Sequence, residues 1–234
     1  MKILFISDLH CEAKVFRGVY EGYACEWLLS IIDGVKPDAL ISAGDWGSLV
    51  SFNFFQELRR RVPVVLSVYG NHERMDVLLK SGVLMEEGRV HELNGLRIGG
   101  IHGIVSPKGG VKKGVPRRTP SEFLSVARRL AGKLDILVMH EVPYLPEAYP
   151  DVRRDIGPLT ALKAIEIVRP RLVLGGHMHR GCYTIHEVTR NVLYLRVDSS
   201  MAERCYVVLE ADSIIVYRDE EFVMKRGISL RASP

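Results

Sequence analysis

Short, continuous apolar runs alternate along the first part of the chain with stretches whose apolar residues recur every three or four positions. Residues 2–7, 39–43 and 64–68 are runs of strand length, apolar enough to be buried on both faces. Between the first two, Val19, Tyr23, Trp27, Leu28 and Ile31 fall at helical spacing, which predicts a helix over residues 15–33 that Gly34 and Pro37 bring to an end. On that helix Tyr20, Tyr23 and Trp27 share one face and read as core. Residues 54–61 supply a second helical pattern. Strand, helix, strand in this order predicts parallel strands flanked by helices.

Further along, a short helix over residues 75–80 precedes two strand patterns, 89–93 and 96–101, joined by Asn94-Gly95, the dipeptide of a type I′ hairpin turn. Residues 102–119 read as a long, glycine-rich loop. A helix over 121–132, a strand over 135–139, a helix over 159–168 and a strand over 171–174 restore the alternation. Strand patterns at 182–188, 192–197, 206–210 and 213–217 then give a hairpin-like tail. Each half begins with β and α units and moves into antiparallel strands. The expected class is therefore α/β (α+β), with two sheets stacked and helices outside. No linker separates the halves, so residues 1–234 are expected to form a single domain.

Composition narrows the class. A chain of 234 residues with 47% hydrophobic and 26% charged residues has the means to bury a sizeable core. No segment approaches the roughly 18 uninterrupted apolar residues of a membrane span. The first apolar run is short and meets Asp8 without a cleavage pattern, so a cytoplasmic location is expected. The four cysteines, Cys11, Cys25, Cys182 and Cys205, show no CxxC spacing, which excludes a zinc ribbon. In a reducing compartment no disulfide is expected among them. The net charge of +4 suits an anionic substrate without demanding nucleic acid.

The candidate chemistry lies where the apolar runs end. Asp8 and His10 follow the first run, Asp45 the second, and Asn71 and His72 the third. His140 ends the strand at 135–139, and His177 and His179 follow the strand at 171–174. Ligands bind outside the carboxyl ends of strands in open α/β sheets, so five such ends carrying oxygen and imidazole donors converge on one site. The donor set suits Mn, Fe, Co, Ni or Zn, not a thiolate metal or calcium. Asp8 with His10, and His177 with His179, are two residues apart and would project together from an extended backbone. Asp45 is the candidate to bridge two ions.

Asp8-Leu9-His10, Gly44-Asp45, Gly70-Asn71-His72-Glu73, His140 and Gly176-His177-Met178-His179 resemble, in order, the five motifs of calcineurin-like metallophosphoesterases. The resemblance implies a four-layer αββα sandwich of two mixed sheets and a centre of two divalent transition-metal ions, manganese favoured. One ion would be held by Asp8, His10, Asp45 and His179, the other by Asp45, Asn71, His140 and His177. A hydroxide shared by the ions would attack phosphorus in line, and His72 would steady the transition state or protonate the leaving group. Every metal position of the family pattern is filled.

The substrate is read less directly. Protein phosphatases of this family carry Asp-Arg-Gly shortly after Gly-Asp, whereas this chain reads Gly44-Asp45-Trp46-Gly47-Ser48-Leu49-Val50, which counts against a phosphoprotein substrate. A small phosphodiesterase fits the length best, with nucleotides or nucleic acid among the candidate substrates. A phosphomonoesterase, a stand-alone nuclease and a non-catalytic scaffold are the alternatives. Arg74, His102, Arg180, Lys112 and Arg117 are the candidate substrate contacts. Of these, Lys112 and Arg117 belong to the basic loop with Lys108, Lys113 and Arg118, which reads either as a flap over an anion or as a solvated surface loop. No protein partner is indicated.

Overall fold

In a computed structural model, which describes residues 1–230, the apolar runs form the middles of two 6-stranded mixed sheets. The first has the spatial order β16 (Glu221–Gly227), β15 (Ser213–Arg218), β14 (Cys205–Glu210), β1 (Lys2–Ile6), β4 (Ala39–Ser42), β5 (Val64–Ser67). The second runs β12 (Tyr183–Thr189), β13 (Val192–Val197), β11 (Leu172–Gly175), β10 (Ile136–Met139), β7 (Leu96–Ile101), β6 (His91–Leu93). Strands β1, β4 and β5 are parallel, as are β7, β10, β11 and β13, while the outer neighbours run antiparallel.

The sheets pack face to face. Ile3, Phe5 and Ile41 of the first meet Ile98, Val138, Leu174 and Leu195 of the second in one buried cluster. The other face of the first sheet is covered by α1 (Ala24–Val35), α2 (Phe52–Arg61) and α3 (Met75–Ser81), with Leu28, Phe55, Leu58 and Leu78 buried. α4 (Pro120–Leu130) and α5 (Ile156–Val168) cover the second sheet through Phe123, Leu130, Ala161 and Ile165. The expected αββα order is what the packing gives. α4 begins as its sequence dictates, with Thr119 and Glu122 closing a capping box and Pro120 at the first helical position between them.

Three local expectations are corrected. The helix placed at 15–33 begins only at Ala24. Before it, β2 (Val15–Phe16) and β3 (Val19–Tyr20) form a hairpin, turning where Arg17 and Gly18 adopt φ of 50° and 83°. Tyr20 and Tyr23 are consequently exposed, not core. The loop at 102–119 contains a second hairpin, β8 (Gly110–Lys112) and β9 (Val115–Arg117), with left-handed Lys113 and Gly114 at its tip. Finally, Cys182 and Cys205 form a disulfide. Cys182 directly precedes β12 and Cys205 opens β14, so the bond ties the second sheet to the first. Their neighbourhood depends on sheet stacking, which cysteine spacing does not report. No helix of the described residues is long and apolar enough to cross a membrane.

Candidate metal centre

The carboxyl ends of β1, β4, β5, β10 and β11 meet on one edge of the sandwich, where the segments after β1 and β4 run side by side. Asp8, His10 and Cys11 donate their backbone N–H groups to the carbonyls of Gly44, Asp45 and Trp46, at 3.0, 2.9 and 2.9 Å. Asp8, His10, Asp45 and His177 all adopt left-handed backbone, with φ of 56°, 49°, 59° and 72°. Non-glycine residues rarely hold this conformation, and its concentration here is strain that the surrounding hydrogen bonds maintain. Asp8 and His10 therefore converge through tight turns and not, as their spacing suggested, through alternation along an extended strand. Glycine is required nearby: a Cβ at Gly70 would stand 2.1 Å from Asp45 Oδ1 and 2.7 Å from His140 Cε1.

All seven candidate ligands are brought to this edge. Three groups have donor atoms close enough to hold an ion: His10 with Glu12 and His72, and two clusters that fall within the seven expected ligands, Asp8 with His10 and His179, and Asp45 with His140 and His177. His10 Nε2 lies 3.1 Å from His179 Nε2 and 3.8 Å from Asp8 Oδ1. Asp45 Oδ2 looks toward both clusters, 3.6 Å from His10 Nε2 and 3.3 Å from His140 Nε2. Its other oxygen accepts from the backbone N–H groups of Asn71 and His72, at 2.5 and 2.8 Å.

Two atoms test whether ions fit. His140 Nε2 and Asn71 Oδ1 are buried without any hydrogen-bond partner, an expensive state unless something else engages them. His140 Nδ1 is held 2.8 Å from the Ala43 carbonyl, so Nε2 is the nitrogen left for the site. With two carboxylates and four imidazoles gathered, the residues suit divalent transition-metal ions.

Without ions, the charges lean on one another. Burial works against a charged His140, yet the Asp45 carboxylate raises its pKa to about 10. Burial and the neighbouring His140 charge push His177 down to about 3. Burial opposes ionisation of Asp45, but His140 and His10 hold it well below the usual carboxylate range. Glu73 is raised to about 8 by burial and by Asp45, while accepting from the N–H groups of Asp45, Trp46 and Gly70 at 2.7, 3.2 and 2.9 Å. It binds the Gly-Asp and Gly-Asn turns together. Trp46, beside Asp45, points into the core, where its Nε1 donates to Ser67.

The candidate substrate contacts separate. The Arg117 guanidinium lies within electrostatic reach of Asp45 and Glu141; burial lowers its pKa against the pull of both, and its Nε is buried without a partner. Arg74 is exposed and turned onto Asp76, at 2.7 Å, and Arg180 is paired with Asp151. Lys112 is exposed on the β8–β9 hairpin. His102 is buried, stacked on Tyr69, with Nε2 2.9 Å from the Met85 carbonyl.

Two carboxylates escape the sequence reading. Asp198, fully buried, accepts from His179 Nδ1 at 2.8 Å and so orients that ring. It follows β13 directly, and the strand-end rule applied to the other strands would have found it. Glu12 sits 2.9 Å from His72 Nδ1 and continues the Asp8-x-His10 spacing by one more step. Phe16 and Arg17 of the first hairpin also reach His179, by ring contact at 5.0 Å and by a hydrogen bond to its carbonyl at 2.7 Å.

Comparison with known proteins bears on this arrangement. The family model for calcineurin-like phosphoesterases matches residues 1–181, more than half of the chain. Among solved structures, TT1561 of Thermus thermophilus is 13% identical at a TM-score of 0.64, covering 98% of this chain and 99% of its own. GAP50, the anchor in the inner membrane complex of Plasmodium, is 13% identical at 0.61, covering 99% and 89%. YfcE, a phosphoesterase from E. coli, is 14% identical at 0.50, covering 98% and 100%. At such identities these likenesses speak for the fold alone. No curated protein sequence matches significantly. With the family model spanning all five strand-end motifs and two stacked mixed sheets beneath them, the chain belongs to the calcineurin-like phosphoesterase family.

Proposed function

We propose that this chain is a phosphodiesterase that works with two divalent transition-metal ions, manganese favoured, held by Asp8, His10, Asp45, Asn71, His140, His177 and His179. The observation that carries the reading is the pair of buried metal-donor atoms that make no hydrogen bond, Asn71 Oδ1 and His140 Nε2, the latter 3.3 Å from the Asp45 oxygen that also faces His10. When bound, such ions would supply an activated water and neutralise charge on the phosphoryl oxygens.

The protein's own groups do the rest. Asp45 keeps one oxygen on the backbone N–H groups of Asn71 and His72, which fixes the other toward both clusters. His72, half exposed at the mouth, is the group to protonate the departing oxygen. Arg117 offers one guanidinium to a non-bridging phosphoryl oxygen.

A diester is favoured over a monoester by the state of the remaining arginines. A monoester brings a second negative charge; of the basic side chains expected to meet it, Arg74 and Arg180 are occupied by Asp76 and Asp151, and Lys112 lies exposed on the β8–β9 hairpin. The fold alone does not decide for catalysis, since it also serves as an anchor in GAP50.

The test compares bis-p-nitrophenyl phosphate with p-nitrophenyl phosphate after metals are stripped and Mn, Ni, Co, Zn or Mg is restored singly. Metal-dependent turnover of the diester is expected, reduced at least about 100-fold in Asp45→Asn. Preference for the monoester would overturn the diester assignment. A folded protein inert with every metal would point to a scaffold.

A further inference from the structure

Glu12 is not among the five motif segments that mark the family, yet its carboxylate is placed to govern two of their histidines. Oε1 lies 2.9 Å from His72 Nδ1 and 3.5 Å from His10 Nδ1, and Oε2 is clamped by Lys14 Nζ at 2.7 Å. The Glu12 side chain is only 12% exposed, while that of His72 is 36% exposed. The half-exposed ring thus has one anchored side and one open side. Its other contact is an edge-on approach to the His10 ring, with centroids 4.9 Å apart. Without Glu12, little would choose between the rotamers of His72.

We infer that Glu12 is the positioning residue of His72: by accepting from Nδ1 it holds the ring with Nε2 facing the leaving-group oxygen, and Lys14 holds Glu12 in that pose. The inference rests on the phosphodiesterase reading. In the step it serves, the water-derived oxygen bonds to phosphorus, the bond from phosphorus to the leaving oxygen breaks, and the proton on Nε2 passes to that oxygen. The Nδ1 proton stays between His72 and Glu12. His72, now neutral, regains its proton from solvent. Because the carboxylate also faces His10, any effect that Glu12 exerts through metal binding must be separated from its effect on proton delivery.

Diaryl phosphates of one shape and graded leaving ability make that separation: bis-p-nitrophenyl, bis-p-chlorophenyl and diphenyl phosphate. A p-nitrophenolate leaves with little help, whereas an unsubstituted phenolate needs the proton. Glu12→Ala should lose about 10-fold or less in kcat with the nitro ester and about 100-fold with the phenyl ester. Glu12→Gln keeps an acceptor oxygen and should recover part of the phenyl loss. Adding Glu12→Ala to His72→Ala should cost little more than His72→Ala alone. Equal losses across the series, or losses that multiply in the double variant, would overturn the inference and assign Glu12 to His10 or to the fold.

A second readout is independent of turnover. In the zinc-loaded protein the His72 Nδ1 proton, deshielded by its hydrogen bond to Glu12, should give a resolved downfield signal that Glu12→Ala abolishes. Its absence from the wild-type spectrum would refute the inference even in an active enzyme. Its presence in a protein inert toward all three esters would leave the Glu12–His72 pairing intact and sink the phosphodiesterase reading instead.

Discussion

Asp198→Asn is the substitution whose consequences can be worked furthest. The carboxylate is fully buried, and its Oδ2 accepts from His179 Nδ1 at 2.8 Å while its Oδ1 accepts from Ser200 N at 3.1 Å. Burial opposes its ionisation, but the bond to His179 keeps its pKa below the usual value. Asparagine fits the space yet can turn its amide N–H₂ toward the ring, so His179 loses a fixed tautomer and orientation. Outer partners of this kind are worth about 10–100-fold in metal affinity, or roughly 1.4–2.8 kcal/mol. A second cost arises behind Asp198. The Arg196 guanidinium is wholly buried, 4.0 Å from Oδ2, and its Nη1 has no hydrogen-bond partner. Its Nη2 remains engaged by the carbonyls of Arg180 and Gly181, at 2.7 and 3.0 Å. Leaving a buried charge without its counter-ion costs about 3–5 kcal/mol, and those carbonyls should hold the loss near the lower figure. Competition of Mn or Zn against a chelator reads the first effect, and urea unfolding of the metal-free protein reads the second. Affinity within twofold of wild type would refute the orienting role of Asp198. Unfolding within about 0.5 kcal/mol of wild type would refute the account of Arg196.

In the metal-free protein His140 is raised to about 10, chiefly by Asp45 acting against burial. Its contribution to stability is thus full below the unfolded value of roughly 6.5 and is lost as pH rises from there through about 10. Over the same window metal binding should release a proton and tighten; calorimetry in buffers of differing ionisation enthalpy checks this, and no proton release at pH 7.5 would contradict it. The Cys182–Cys205 disulfide spans 23 positions, for which chain entropy gives about 3 kcal/mol of stabilisation. Reduction should therefore lower Tm by roughly 6–12 °C, and an unchanged Tm under reductant would show that the bond constrains little.

Much of the fold was legible because apolar runs fix strands and strand ends fix a site. The meeting of the motif-bearing strand ends on one edge, the Asn94-Gly95 turn and the sheet-and-helix order all follow from local pattern. What escaped was set by contacts distant in sequence or by backbone geometry. The β2–β3 hairpin was concealed by helical spacing at Val19 and Tyr23, and only the left-handed Arg17 and Gly18 overrule it. The disulfide depends on how the sheets stack. Even the convergence of Asp8 with His10 was foreseen for the wrong reason, since left-handed turns and not strand alternation bring it about. Strand β16 was missed because it is largely exposed and its apolar run is only Phe222 to Met224, followed at once by Lys225 and Arg226.

The pairing of β1 with β14 has a consequence for how the chain is made. Lys2 to Phe5 lie in register with Glu210 to Val207, so the strand that carries Asp8 and His10 is flanked on one side by a segment synthesised some 200 residues later. Until that segment clears the ribosome, one edge of β1 has its backbone N–H and C=O groups unpaired and four consecutive buried-type residues, Ile3 to Ile6, beside them. A first sheet with β1 paired on both sides therefore waits until residues 205–210 have been made. A nascent chain stalled before residue 205 would carry every candidate ligand and still lack the framework that aims them.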